Sequence, residues 1–136
     1  MRRFYVDTNI WLDYFENRSD KYRPLGEWAL AFLNGILDVG SVILISDVVL
    51  AELRRYADQE KISSCFAPFQ KSLLFVSRSN TQSIEARSLS KSRLVPFADA
   101  LHAIISRDEN AILISRDKHF MKLLDVVCVM KPEDLI

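Results

Sequence analysis

Four acidic residues occupy places where a short apolar run gives way to a helical pattern. Asp7 follows the run at 4–6, and Glu52 lies in the stretch SDVVLAELRRY. Asp99 lies in PFADALHAII, and Asp117 follows the apolar run AILIS. Carboxylate oxygens are the ligands that hard divalent cations such as Mg²⁺ prefer, and a cation held in this way polarises a phosphodiester and activates a bound water. If these acids meet in the folded chain, they predict a metal-dependent hydrolytic site.

Predicted burial separates these acids from those in polar turns. Glu52 and Asp99 lie in stretches that are apolar nearly all round, which predicts that both are buried. A buried ionised carboxylate costs free energy unless it is paired, hydrogen-bonded or bound to a metal. Asp7 and Asp117 have a second interpretation, because an acid at a helix start caps the helix or favours its dipole. Thr8 is also a good cap, so we expect it to cap the first helix and to leave Asp7 free for a site.

The elements that must position the acids alternate along the chain. Near-continuous apolar runs predict five buried strands, at 4–6, 42–45, 74–76, 111–114 and 126–129. Helical periodicity predicts helices at 10–15, 24–38, 47–58, 61–71, 81–92, 96–108 and 117–124. This alternation predicts one α/β domain over residues 1–136, with a mainly parallel central sheet of about five strands and helices on both faces. In such sheets functional groups gather beyond the carboxyl ends of the strands.

The composition fits a globular protein and argues against several classes. Of the 136 residues, 49% are apolar, so a substantial core is expected. The formal net charge is zero, so no chain-wide basic field favours tight duplex binding. Neither a signal peptide nor a membrane span is predicted, and Cys65 and Cys128 are expected to be buried free thiols. Together these features predict a cytoplasmic protein without a membrane partner.

The two histidines, His102 and His119, do not have the spacing of a zinc site. His102 lies three residues after Asp99 on the same helical face, which predicts a structural histidine that donates to Asp99 and orients it. His119 belongs to a basic group whose other members are Arg116, Lys118 and Lys122. That group either contacts RNA phosphates or forms a solvated helix face.

The motifs YVDTNIW, VVLAEL, PFADALHAI and LISRDKHF, in that order, resemble the four acidic motifs of the PIN-domain family, and those of its VapC-type toxins in particular. The resemblance covers essentially the whole chain, including the closing KPEDLI. It implies a Rossmann-like PIN domain and an endoribonuclease that depends on Mg²⁺ or Mn²⁺.

The resemblance also implies roles for individual residues. Carried over by position, it makes Asp7, Glu52, Asp99 and Asp117 the catalytic acids. Asp7, Asp99 and Asp117 are the implied metal ligands, whereas Glu52 is expected to orient or deprotonate the attacking water. Asn9 and Ser115 match small polar positions of the family, and we expect them to hydrogen-bond carboxylates or substrate.

The implied partners are an RNA substrate, a small cognate antitoxin protein and a second copy of the chain in a homodimer. Antitoxins of the family often lay a helix in a groove, which the stretches 24–38 and 47–58 are candidates to form. Three aromatic residues are expected to be exposed and to serve an interface: Trp11, Tyr14 and Trp28.

Two other functions remain open on the residues alone. A phosphoryl-transfer enzyme with an aspartyl nucleophile uses a similar sheet, but it would carry a second acid two residues after Asp7, where Asn9 stands. A non-catalytic module would use its acidic groove only to bind a protein partner, and it would show no turnover of RNA.

Overall fold

The computed structural model describes residues 2–136 and contains a five-stranded sheet with the strand order β3-β2-β1-β4-β5. Every neighbouring pair of strands is parallel. The strands are β1 (Arg3–Val6), β2 (Val42–Ser46), β3 (Leu73–Val76), β4 (Ile112–Ile114) and β5 (Val129–Met130). The α-helices are α1 (Thr8–Glu16), α2 (Leu25–Asp38), α3 (Asp47–Leu53), α4 (Gln59–Phe66), α5 (Asn80–Arg93) and α6 (Phe97–Asp108). The predicted α/β fold with a parallel central sheet is confirmed.

The strand order creates a crevice next to β1. The chain runs outward from β1 through β2 to β3 and then returns to place β4 on the other side of β1. Neighbouring connections therefore leave in opposite directions at the carboxyl ends of β1 and β4, which is where open α/β sheets bind ligands. Asp7 directly follows β1, and Ser115 to Asp117 directly follow β4.

Several predicted helix boundaries are wrong. The helix expected at 47–58 ends at Leu53, and α4 begins at Gln59 because the Asp58 side chain caps it by accepting from the Lys61 N–H at 2.8 Å. The helix expected at 61–71 changes into the 3₁₀-helix Ala67–Ser72, since Pro68 has no N–H to continue an α-helix. The segment expected as a helix at 117–124 is the 3₁₀-helix Lys118–Leu123, and a further one spans Pro132–Leu135. Strand β5 begins three residues later than predicted.

The core corrects two expectations about individual side chains. Trp11 was expected at an exposed interface, but it is fully buried and packs edge-on against Phe66 with ring centroids 4.7 Å apart. Tyr14 and Trp28 are only half-buried. Both cysteines are free, as predicted, but Cys65 is half-buried and Cys128 is exposed. Cys128 directly precedes β5, which is an edge strand of the sheet formed by residues 2–136.

A close contact joins the start of α2 to the end of α1. A Cβ atom at Gly26 would stand 2.6 Å from the Cα atom of Asn17 and 2.6 Å from the carbonyl oxygen of Asp13, so only glycine fits there. Asn17 itself ends α1 in the left-handed conformation. No helix within residues 2–136 combines the length and apolarity that crossing a bilayer requires.

Candidate metal centre

The four acids predicted from the sequence line one cleft of about 280 Å³ at the carboxyl edge of the sheet. Asp7 comes from the end of β1, Glu52 from α3, Asp99 from the first turn of α6 and Asp117 from the segment after β4. The strand order explains this meeting, because the ends of β1 and β4 are adjacent and α3 and α6 begin at the same edge. Their burial differs from expectation, since Asp7 is the most buried of the four and Glu52 and Asp99 are only half-buried.

Asp7 both caps a helix and faces the cleft. Its Oδ1 accepts the Thr8 N–H at 2.8 Å at the start of α1, and its Oδ2 accepts the Ser115 hydroxyl at 2.7 Å. The expectation that Thr8 would cap α1 and leave Asp7 free is therefore wrong. Thr8 is already the first helical residue, so its hydroxyl points into the cleft. Burial raises the pKa of Asp7, although the charge of His102 and the Ser115 hydroxyl act in the opposite direction.

Glu52 is held in place by two donors that both reach its Oε1. The Thr8 hydroxyl donates at 3.0 Å, and His102 Nε2 lies 2.7 Å away. Within residues 2–136, Oε2 of Glu52 makes no hydrogen bond, so this oxygen is available to a ligand in the cleft. Burial tends to raise the pKa of Glu52, but the hydrogen bond and charge of His102, the Thr8 hydroxyl and the charge of Arg55 together lower the pKa overall.

A buried chain of polar groups stands behind Glu52. His102 is 1% exposed, its Nδ1 lies 2.6 Å from the Tyr5 hydroxyl, and that hydroxyl lies 2.6 Å from Ser46 Oγ. Ser46 Oγ also accepts the Val49 N–H at 3.1 Å. All groups are satisfied when Ser46 donates to Tyr5, Tyr5 donates to His102 Nδ1 and His102 Nε2–H donates to Glu52.

His102 therefore orients Glu52 and not Asp99, which corrects the prediction from its spacing. Desolvation lowers the pKa of His102, but the bond to Glu52 and the charges of Asp7, Glu52 and Asp99 more than compensate, and the pKa is raised overall. A protonated ring would donate to Tyr5 from Nδ1 and still donate to Glu52 from Nε2. The contact with Glu52 is thus the same in both protonation states.

Asp99 and Asp117 meet at His119. His119 Nδ1 lies 2.8 Å from Asp99 Oδ2 and 3.1 Å from Asp117 Oδ1. Burial and the charge of Asp117 raise the pKa of Asp99 to about 6. Sequence reasoning did not identify His119 as a member of this site. The only signal was its position two residues after Asp117, where a turn brings its ring back over the acid.

The segment after β4 alternates between the cleft and the opposite side. Ser115 donates to Asp7 and accepts the Asp117 N–H at 3.0 Å, so it links two of the acids. Arg116 points away from the cleft and donates to Asp13 and Glu133, each at 2.8 Å. Arg116 is therefore not part of a basic surface with His119, contrary to one of the two interpretations of that group.

Asn9 lines the cleft at an exposed position. Its side chain makes no hydrogen bond to any of the four acids within the described chain, so the expected positioning of carboxylates falls to Ser115, Thr8 and His102.

The residues of the cleft fit a divalent cation. Among residues 2–136, no lysine or arginine forms an ion pair with any of the four acids. Their only ionic partners in that part of the chain are the two histidines. Arg55 lines the cleft and its charge acts on Glu52, but it forms no ion pair there. Crowded carboxylates without a lysine or arginine ion pair repel one another, and a hard cation that takes oxygen ligands relieves this repulsion. Asp99 and Asp117 offer such oxygens and, with His119, lie within 4.8 Å of one another. Asp7 lines the same cleft but is not part of that compact group, and its two oxygens accept from Thr8 and Ser115.

Comparisons with known proteins agree with the observed fold. A family model described as the PIN domain matches residues 4–124. The structure is similar to VapBC2 from Rickettsia felis bound to a promoter DNA fragment, at 21% identity and a TM-score of 0.69, covering 95% of this chain and 98% of the other. It is also similar to a toxin–antitoxin complex from Klebsiella pneumoniae, at 19% identity and a TM-score of 0.67, covering 97% and 98% of the two chains.

A third similar structure is FitAcB from Neisseria gonorrhoeae, at 20% identity and a TM-score of 0.63, covering 97% of this chain and 99% of the other. At these identities the likeness concerns the fold. No curated protein sequence matches this chain.

Proposed function

The chain belongs to the PIN domain family, and from that premise we propose that it is a metal-dependent endoribonuclease and the toxin of a VapBC-type toxin–antitoxin pair. PIN domains are generally nucleases. The observation that carries the proposal is the meeting of Asp7, Glu52, Asp99 and Asp117 in one cleft without lysine or arginine partners in residues 2–136.

The roles of the acids follow from their environments. Asp7, Asp99 and Asp117 would hold Mg²⁺ or Mn²⁺, which supplies Lewis-acid polarisation of the phosphodiester and lowers the pKa of water. Glu52 is the residue suited to take a proton from the attacking water. Its Oε1 is fixed by Thr8 and His102, its Oε2 faces the cleft without a hydrogen bond in the described chain, and its lowered pKa keeps it ionised.

Ser115 and His102 act through the carboxylates that they hold. Ser115 fixes Asp7 and the backbone of Asp117, so the ends of β1 and β4 keep a constant separation. His102 keeps one oxygen of Glu52 occupied, which leaves the other as the only proton acceptor of that side chain. Pre-oriented groups of this kind lower the reorganisation that the reaction needs.

The proposed protein partners are a small antitoxin and a second copy of the chain, in the cytoplasm. The similar structures from Rickettsia felis and Klebsiella pneumoniae are toxin–antitoxin complexes, which supports an antitoxin here. A second cleft of about 340 Å³ adjoins the acidic cleft at Leu12 and Tyr56 and runs between α1 and the start of α4. We propose that the antitoxin lies there and covers the acids.

The test is RNA cleavage by the purified chain with Mg²⁺, with Mn²⁺ and with a chelator. We expect cleavage with metal, none with chelator, and a loss of about 100-fold or more in Asp7→Asn and Glu52→Gln. Asp38→Asn is the matched control, because Asp38 is an exposed acid at the end of α2 and lies outside the cleft. Cleavage that survives both site substitutions, or that ignores the chelator, would refute the proposal.

A non-catalytic module is the competing function. It predicts that the folded wild-type chain binds an antitoxin and never cleaves RNA with either metal. The Asp7→Asn variant would then change partner affinity alone.

A further inference from the structure

His119 is an exposed residue whose ring lies between two of the four acids. Its Nδ1 is 2.8 Å from Asp99 Oδ2 and 3.1 Å from Asp117 Oδ1. The nitrogen and one oxygen of each carboxylate all lie within 4.8 Å of one another. The three residues therefore form a compact set of one nitrogen and two oxygens.

The backbone fixes this set. Asp117 caps the 3₁₀-helix that begins at Lys118, and its Oδ1 accepts the His119 N–H at 2.9 Å. The same bond that caps the turn thus sets the position of the His119 backbone relative to the acid. Asp99 belongs to a different element, α6, and still reaches the imidazole. One side of the ring is open, since the side chain is 49% exposed, so a cation has access to it.

The two carboxylates beside the ring, Asp99 and Asp117, carry more negative charge than one protonated imidazole neutralises. Asp99 and Asp117 have no ion pair other than His119 within residues 2–136. A single N–H of the imidazole carries at most one positive charge and cannot satisfy both carboxylates. A divalent cation in the same place matches their combined charge.

The distances also suit joint ligation. Mg²⁺ and similar cations bind ligands at about 2.1 Å in octahedral geometry, so two neighbouring ligands stand about 3.0 Å apart. The two nitrogen-to-oxygen distances at His119, 2.8 and 3.1 Å, bracket that spacing. The spacing of these atoms is therefore compatible with their binding one cation together.

We propose that His119 Nδ1 is a third protein ligand of the cation held by Asp99 and Asp117, and that this nitrogen makes the site prefer Mn²⁺ to Mg²⁺. Imidazole is a better ligand for transition metals than for Mg²⁺, which keeps water in preference to nitrogen. The inference rests on the proposed function in one respect, that a divalent cation occupies this cleft. It does not require the chain to cleave RNA.

The experiment detects the bond between Mn²⁺ and the His119 nitrogen directly in the purified chain. Electron spin-echo spectroscopy of bound Mn²⁺ detects the nitrogen nucleus of a directly coordinated imidazole. Calorimetric titrations with Mn²⁺ and Mg²⁺ give the two dissociation constants. The variants are His119→Ala, which removes the ligand, and His102→Gln, which removes the other histidine of the cleft.

We expect nitrogen coupling in the wild type and in His102→Gln, and none in His119→Ala. His119→Ala should weaken Mn²⁺ binding by about 10- to 100-fold and Mg²⁺ binding by less than about threefold, because Mg²⁺ accepts a water in place of the ring. Circular dichroism checks that each variant is folded.

Three results would overturn the inference. They are Mn²⁺ bound without nitrogen coupling, coupling that survives His119→Ala, and equal losses of Mn²⁺ and Mg²⁺ affinity in that variant. Failure of the proposed function is a separate outcome, in which the wild type binds Mn²⁺ with nitrogen coupling and yet cleaves no RNA.

Discussion

Replacing Asp99 with asparagine should stabilise the metal-free protein even as it removes cleavage. Burial and the charge of Asp117 raise the pKa of Asp99 from 3.8 to about 6 in the folded chain. A carboxyl whose pKa is raised by folding favours the folded state only while it is protonated, and this contribution is lost as the pH rises from the unfolded to the folded pKa. At neutral pH the wild-type chain therefore carries a destabilising charge that the amide of the variant lacks.

The size of the gain in the free energy of unfolding follows from the pKa shift of Asp99. About two pH units correspond to about 3 kcal/mol, at about 1.4 kcal/mol per unit. Solvent screening reduces this value, because the Asp99 side chain is 14% exposed beside an open cleft, so we expect a gain of about 1–2 kcal/mol in the free energy of unfolding. For a chain of this length that gain raises Tm by about 4–8 °C. The amide keeps a carbonyl oxygen that can accept from His119, so the substitution does not sacrifice that contact.

The assay is thermal unfolding of wild type and Asp99→Asn in a chelator, at about pH 8 and at about pH 4. The gain should be present at the higher pH and nearly absent at the lower one, where the wild-type carboxyl is protonated as well. Added Mn²⁺ or Mg²⁺ should reverse the order, since only the wild type binds the cation well and gains stability by mass action. The exposed-acid variant Asp38→Asn should behave as wild type throughout.

Two outcomes would refute this reasoning. One is a metal-free Asp99→Asn chain that is no more stable than wild type at about pH 8. The other is a gain of the same size at both pH values, because that would show an effect unrelated to the charge of Asp99.

Three further substitutions test other parts of the site and fold. Glu52→Gln should lower kcat of RNA cleavage by about 100-fold or more and leave the affinity for Mn²⁺ within about threefold of wild type, measured by kinetics and calorimetry. Tyr5→Phe should lower the free energy of unfolding by about 1–2 kcal/mol in urea titrations, because it leaves His102 Nδ1 without a partner in the core. Gly26→Ala should cost about 1–3 kcal/mol in the same assay, since its Cβ would overlap the end of α1.

The fold and the convergence of the four acids could be predicted from the sequence. Near-continuous apolar runs at 4–6 and 42–45 are typical of strands covered on both faces, and the structure places β1 and β2 there. Once the sheet is parallel, its carboxyl edge collects whatever follows the strands. Asp7 and Asp117 therefore had to lie near each other, whatever their side chains contact.

The contacts of individual side chains could not be predicted from the sequence. Spacing along one helix predicted that His102 would serve Asp99, but the ring reaches across to α3 and bonds Glu52. That choice depends on Tyr5, whose hydroxyl occupies the other ring nitrogen from a strand 97 residues away in sequence. No local sequence pattern predicts such a partner, because the side-chain orientation of His102 depends on residues that are distant in the chain.

The predictions for Trp11 and Thr8 were wrong for related reasons. A tryptophan in an amphipathic helix is compatible with exposure, and only the tertiary packing of α4 against α1 encloses Trp11 beside Phe66. At the start of α1, Asp7 and Thr8 are both residue types that cap helices well, and the end of β1 determines which of them stands at the capping position. Because the strand ends at Val6, the capping position is Asp7, and the site carboxylate performs both tasks.

The pairing of Arg116 with Glu133 links a distant turn to the acidic cleft. Glu133 lies in the 3₁₀-helix Pro132–Leu135, and through Arg116 it supports the short peptide that contains Ser115, which donates to Asp7, and the acid Asp117 itself. A replacement of Glu133 therefore acts on the cleft from outside it, so a loss of activity in such a variant does not make Glu133 a member of the site.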